Sequence, residues 1–222
     1  TFDPAWDGYP VWTPDGSRIL FGSERRGHSD IYELVLGGSS EPRLIYQDQT
    51  QKYPSSISPD GHYLAFRRAT EGGYDIWVLS LSDPENLQPI LASPYNEGGP
   101  AFSPDGKWLA YDSDESGRKQ VYVVAFPEGS VRRKVSTGGG LSPMWSADGR
   151  ALYYDEGTKV MRVDVLGNGQ FSSPRVLFDD AVGNWKLMPD GKGIIIEGQG
   201  SPGKLRLTLN WRRVLEQTVP GL

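Results

Sequence analysis

Five copies of one turn recur along the chain: Pro14-Asp15-Gly16, Pro59-Asp60-Gly61, Pro104-Asp105-Gly106, Ala147-Asp148-Gly149 and Pro189-Asp190-Gly191. Their aspartates are spaced by 45, 45, 43 and 42 residues. A period of that size fits a WD40-like propeller blade of four strands and exceeds the ankyrin and tetratricopeptide units. The turn itself has a mechanism. Proline presets φ near −65°, aspartate suits the next position, and glycine takes the left-handed conformation that closes a short bulged hairpin.

Apolar segments flank every copy. Before the turns stand Tyr9–Thr13, Tyr53–Ser58, Pro100–Ser103, Ser142–Ser146 and Trp185–Met188. After them stand Ile19–Phe21, Leu64–Phe66, Trp108–Tyr111, Leu152–Tyr154 and Ile194–Ile196. A third strand is expected at Ile31–Leu36, Ile76–Leu81, Val121–Phe126, Val160–Val165 and Leu205–Leu209. A fourth is expected in four repeats, at Arg43–Tyr46, Gln88–Leu91, Arg133–Ser136 and Arg175–Phe178. The second strands are apolar at consecutive positions, the pattern of a sheet covered on both faces. The fold class is therefore all-β: a β-propeller of four-stranded antiparallel blades. Five blades are recognisable, at about 1–47, 48–93, 94–137, 138–179 and 180–211, in a single domain with a tail over 212–222. Trp211, Val214, Leu215, Thr218 and Val219 fall at helical spacing, which predicts a short closing helix. The fifth repeat has no fourth strand of its own, so Thr1-Phe2-Asp3-Pro4 is expected to complete it against Leu205–Trp211 and cover the open edge.

Composition narrows the function. Acidic residues outnumber basic ones, 28 to 23, for a formal net charge of −5, which argues against a nucleic-acid partner. The absence of cysteine excludes disulfides, thiol nucleophiles and thiolate metal sites. The two histidines, His28 and His62, are too few for a multi-histidine centre and fall in hairpin turns. No apolar run approaches the roughly 18 residues that cross a bilayer, so no membrane insertion is expected of this chain. Thr1–Pro10 carry no basic start or apolar middle of a signal peptide.

The segment Ser103-Pro104-Asp105-Gly106-Lys107-Trp108-Leu109-Ala110-Tyr111, followed by Val121-Tyr122-Val123-Val124, resembles the TolB-like propeller repeat. The resemblance runs through all five repeats, with Ala147 and Met188 departing from the Ser-Pro pair before Asp-Gly. Three further segments, Thr1–Ala5 through Pro10-Val11-Trp12, Val135–Gly140 and Leu207–Trp211, are similar to propeller regions abundant in acidobacteria. Many of those lie C-terminal to a Ser/Thr kinase domain and a membrane span. That resemblance implies a periplasmic or extracellular setting within a larger bacterial protein. The kinase is not in this chain: it has no Gly-rich loop, no His-Arg-Asp and no Asp-Phe-Gly.

Candidate chemistry is sparse. Asp112-Ser113-Asp114-Glu115-Ser116-Gly117 matches the first half of a calcium loop. Its twelfth position is Val123, where a bidentate glutamate is needed, so the segment reads as a polar hairpin and no metal site is expected. No nucleophile elbow, zincin motif or phosphate-binding loop occurs. The chain is accordingly read as no enzyme, with no catalytic residues and no cofactor. Trp12, Trp77, Trp108 and Trp145 are expected between blades. Arg132-Arg133-Lys134 reads as an outer strand protected against edge pairing.

Loops joining one blade to the next gather at one end of the channel. There Tyr9, Lys52, Tyr53, Tyr95, Asn96 and Glu97, with Arg118 from a neighbouring hairpin, form the candidate ligand-binding set. Aromatic rings among such charges can grip a peptide or stack on a sugar, or can merely seal the channel mouth. The expected function is a non-catalytic binding or scaffold propeller that recognises a protein, peptide or glycan. The alternatives are a propeller enzyme acting on polysaccharide and a purely structural ring.

Overall fold

Residues buried on both sides make the second strand of each of the first four repeats the spine of its sheet. In the computed structural model, which describes residues 3–37, 41–167, 169–179, 183–187, 193–198 and 205–209, every regular element is a β-strand. The first sheet runs β1 (Asp7–Trp12), β2 (Arg18–Ser23), β3 (Asp30–Val35), β4 (Arg43–Tyr46). The second runs β5 (Lys52–Ile57), β6 (Tyr63–Thr70), β7 (Gly73–Ser80), β8 (Leu87–Leu91). The third runs β9 (Glu97–Phe102), β10 (Trp108–Ser113), β11 (Gln120–Ala125), β12 (Arg132–Lys134). The fourth is β13 (Leu141–Trp145), β14 (Ala151–Glu156), β15 (Lys159–Gly167) and β16 (Gln170–Phe171), with β17 (Arg175–Phe178) also on β15. The fifth has three described strands, β18 (Gly183–Leu187), β19 (Gly193–Gly198) and β20 (Leu205–Leu209). Neighbours pair antiparallel, in chain order, as propeller blades require.

The chain divides into two compact units, Thr1–Pro143 and Met144–Leu222. Within the first, β1, β5 and β9 lie side by side as the inner strands of three blades. Leu20, Ile31, Ile57, Leu64, Phe66 and Leu79 form the core between the first and second sheets. Ala65, Ile76 and Val78, one residue along, face Phe102, Leu109 and Tyr111 of the third. The alternation of side chains thus feeds two cores from one sheet. In the second unit Ala151, Tyr153, Val160, Leu177 and Trp185 make a separate core.

The recurring turn is tied by side chains. Ser58, Ser103 and Ser146 each donate a hydroxyl hydrogen bond to the aspartate two residues on, at 2.5, 2.6 and 2.6 Å. Each hydroxyl also accepts the amide five residues on, from Tyr63, Trp108 and Ala151, at 2.9–3.0 Å. Thr13 does the same with Asp15 and Arg18. The aspartate's Oδ1 in turn accepts the amide after the glycine, from Ser17, His62, Lys107 and Arg150. Hydrogen bonds from Thr13 and from Ser17 pull the Asp15 carboxyl down to about 2, so this turn is built for the ionised acid. Gly61 and Gly106 take φ of 76° and 70°, and a Cβ there would lie 3.8 Å from Pro14 and 3.5 Å from Pro59. The second and third turns therefore each rest on the proline of the turn before them.

Two details differ from the sequence expectation. Trp12 is 57% exposed rather than packed between blades, because its neighbour Val11 takes the inward position on β1. The outer strand of the fourth blade is split in two. β15 is nine residues long, and Pro174 lacks the amide needed to continue one partner along it. Ser172 bridges the break: its amide bonds the carbonyl of Asp164 at 2.9 Å and its hydroxyl accepts the Asp164 amide at 2.9 Å. The expected C-terminal helix and the fifth Asp-Gly turn lie outside the described residues, as do Thr1, Phe2, Asn210 and Trp211 of the expected closure of Thr1-Phe2-Asp3-Pro4 against Leu205–Trp211.

Replacing Ser103 by alanine removes both side-chain hydrogen bonds of its turn and leaves the Trp108 amide unpaired. The expected cost is about 1 kcal/mol, read as an earlier urea midpoint with an unchanged slope. An unchanged midpoint would show that the hydroxyl does not hold the hairpin.

Candidate partner-binding site

The inner strand of each of the first three blades carries a bulge near its start. Register shifts fall between Gly8 and Val11, between Pro54 and Ser56, and opposite Ala110–Asp112. Six residues before the turn aspartate stand Tyr9, Pro54, Gly99 and Ser142. Gly99 takes φ of 56° there without steric cost, whereas Tyr9 and Ser142 are held at 53° and 52°. A bulky residue in this region is strained by about 1–3 kcal/mol. The bulge turns the Tyr9 ring towards the second blade, where its centroid lies 4.9 Å from that of Tyr53.

These rings belong to a row. Trp6 meets Tyr9 at 5.8 Å, Tyr9 meets Tyr53, and Tyr53 meets Tyr74 at 5.6 Å, all edge to face. Trp6 and Tyr9 remain 45% and 44% exposed. The row arises from strand register. Tyr53 on β5 is directly opposite Arg67 on β6, and Tyr74 on β7 is opposite Ala69, two residues from Arg67. Tyr53, Arg67 and Tyr74 therefore share one face of the second sheet. The Arg67 guanidinium lies 5.5, 5.4 and 5.0 Å from the ring centres of Tyr9, Tyr53 and Tyr74. Burial pushes the Tyr53 phenol above its ordinary range, with Tyr74 adding to the shift, so its hydroxyl stays a donor.

The remaining sequence candidates divide between surface and interior. Tyr95 is 43% exposed, in the loop that precedes β9. Asn96 next to it uses its amide on Asp114 and its carbonyl on Lys119, while its side chain lies over Gly73. Arg118 is exposed and donates to the Thr137 carbonyl at 2.9 Å. Lys52 is fully buried, its ammonium 2.9 Å from both Asp30 and Asp48 and bonded to the carbonyls of Asp48 and Thr50. Burial works against the charge of Asp48. Hydrogen bonds from Thr50, Lys52 and Arg68 outweigh it and hold the carboxyl well below the usual range. Glu97, at the same strand position one blade on, is 1% exposed and accepts from Ser93 at 2.6 Å. Burial raises its carboxyl above the ordinary 4.5, with the charge of Asp75 adding to the effect. Of the seven residues, Tyr9 and Tyr53 meet directly, Tyr95, Asn96 and Arg118 lie in loops and hairpins further round, and Lys52 and Glu97 face the interior.

Asp112, the first residue of the calcium-like segment, pairs with Lys119 at 3.0 Å and accepts the Ser142 amide. It fills the space over Gly98 and Gly99, where a Cβ would come within 2.9 and 3.1 Å of its oxygens. His28 and His62 are exposed in their turns.

Residues 54–204 match the TolB beta propeller domain. The chain belongs to that family. No curated protein matches it. Its fold is similar to that of TolB from Acinetobacter baumannii, with a TM-score of 0.75 and 22% identity over 94% of this chain. The chain spans 53% of that protein's length. A TolB-type protein from Agrobacterium tumefaciens matches at TM-score 0.61 and 21% identity, covering 80% of this chain and 82% of its own. An oligogalacturonate lyase in complex with manganese matches at 0.59 and 17%, over 91% of this chain and 73% of its own. Identities this low speak for fold alone.

Within this TolB-family repeat, sequence reasoning missed Trp6, Arg67 and Tyr74. A signal existed. Seven residues after the turn aspartate the repeats carry Gly22, Arg67, Asp112, Asp155 and Glu197, so the cation of the second repeat is the odd one.

Two substitutions separate the interior charges from the rest. Lys52→Met strands Asp30 in the interior, leaves Asp48 with Arg68 as its remaining ion pair, and is expected to cost about 3–5 kcal/mol in urea unfolding. Glu97→Gln acts the other way. An acid with a raised pKa weakens the fold as pH climbs through its titration, so near pH 7 the glutamine variant should unfold later than the parent. The difference should shrink towards about pH 4, where the parent carboxyl is protonated. A glutamine variant less stable than the parent near pH 7 would contradict the burial cost assigned to Glu97.

Proposed function

We propose that this TolB-family chain is a non-catalytic propeller that binds a protein or peptide outside the cytoplasm. We place it as the sensor or interaction part of a larger bacterial protein, of the kind that follows a kinase domain and a membrane span. The partner docks at the loop end of the first three blades, on the row Trp6, Tyr9, Tyr53 and Tyr74, with Tyr95, Asn96 and Arg118 at the rim. Lys52 and Glu97 serve this site from below, by fixing the strands that carry it.

The observation that carries this reading is Tyr9. A large ring is kept in a strained backbone conformation at a position the third blade fills with glycine, and it is left 44% exposed. Folding alone favours glycine there, and an exposed, strained aromatic residue is the mark of a surface kept for contact. The opposite end of the sheets is made of near-identical Asp-Gly turns that carry geometry rather than specificity. The histidines, exposed in separate hairpins, supply no paired acid and base.

A peptide and glycan array with the whole chain, followed by variants, tests the assignment. Tyr53→Ala should weaken the captured partner about tenfold or more. Lys107→Ala and Arg150→Ala, on the turn end of their sheets, should leave it within about twofold. Tyr9→Gly should lose binding while keeping stability within about 1 kcal/mol, because relieved strain offsets lost ring contacts. Loss of binding from the turn-end variants alone would place the site at the other end.

A further inference from the structure

Among the described residues five arginines lie over aromatic rings: Arg25, Arg67, Arg68, Arg132 and Arg162. Four of them also hold a carboxylate. Arg25 pairs with Asp7 at 3.3 Å, Arg68 with Asp48 at 2.7 Å, Arg162 with Asp164 at 2.6 Å, and Arg132 with Glu115. Arg67 has three ring neighbours, more than any of the others, and no carboxylate among the described residues within ion-pair reach. Its charge is half-buried in a protein whose formal net charge is −5.

Ring faces steady a guanidinium but leave its N–H donors in the ring plane uncommitted. A cation with free donors and aromatic walls is complementary to a carboxylate, which accepts two parallel hydrogen bonds from one guanidinium. We infer that Arg67, walled by Tyr9, Tyr53 and Tyr74, is the recognition point for a carboxylate side chain of an acidic peptide segment. The inference rests on the docking surface proposed above and names the chemistry of its occupant.

The rings decide between a peptide and an acidic sugar. They meet at 62° and 71°, so each face is turned to a neighbour's edge and no flat platform is laid out for a pyranose ring. An aspartate or glutamate side chain needs only the point contact.

The test uses the whole chain and three fluorescent probes in anisotropy titrations: a short Glu-Gly-Glu peptide, its Gln-Gly-Gln counterpart, and a galacturonate oligomer. The glutamate peptide should bind at least about tenfold tighter than the glutamine one. Its affinity should fall as salt is raised. Arg67→Met, which keeps the stem against the rings, should abolish that preference, and Arg67→Lys should restore part of it. The comparison of the two peptides on the parent chain needs no variant, so it stands even if Arg67→Met unfolds. Equal binding of both peptides, binding of neither, or binding of the galacturonate oligomer in preference overturns the inference. An array partner lost in Tyr9→Gly but kept in Arg67→Met would overturn it too, while leaving the docking surface in place.

Discussion

One hydroxyl in each of the first four turns fixes the register of its blade. It donates to the turn aspartate and accepts the amide that opens the next strand, so the first two strands of a blade are paired before any packing between blades is considered. With that pairing fixed, every residue of the hairpin has an assigned face, because a slip of one residue would exchange the faces. The consecutive apolar residues of β6 then feed cores on both sides of the sheet, Leu64 and Phe66 on one and Ala65 on the other. The turns also bear on each other through Gly61 on Pro14 and Gly106 on Pro59, so the same local geometry repeats from blade to blade.

Charge adds a further tie between blades, and this one is not repeated. At the start of the inner strands stand Asp7, Lys52 and Glu97. Lys52 neutralises Asp30 and Asp48, and with Arg68 it forms a network in which every charged group has a partner. One blade on, Glu97 keeps an unpartnered buried oxygen, as does Asp75. A salt bridge stitches the first junction and a costly pair of acids marks the second. The two junctions therefore differ in stability although their strands superimpose in register.

Much of the fold was legible because its signal is periodic. The Asp-Gly turns, the apolar second strands and the four-strand count each recur, and a recurring pattern outweighs the ambiguity of a single short strand. What escaped was whatever one repeat does alone. Trp12 reads as core by its chemistry, yet the alternation on β1 turns it outward. Lys52 reads as a loop cation, yet it is fully buried, because its two acids come from residues 22 before it and 4 before it. The bulge that re-aims Tyr9 has no composition of its own: its position holds tyrosine, proline, glycine and serine in successive repeats.

That irregularity is where specificity has to be sought in a repeat protein. A residue shared by all blades answers to the blade, whereas a departure at one position answers to something particular to that place. Tyr9 departs from the glycine that its backbone prefers, and Arg67 departs from the acids and glycine at its position. Tyr53 departs as well, standing where the blades on either side have Gly8 and Gly98. Strand register brings these positions to one junction, Tyr53 directly opposite Arg67 and β1 beside β5, with Arg67 within 5.5 Å of both rings; register does not dictate which side chains stand there. Departures gathered at one junction, with a large exposed ring at one and, at another, a charge without an ion-pair partner among the described residues, are the ground on which the docking surface is proposed.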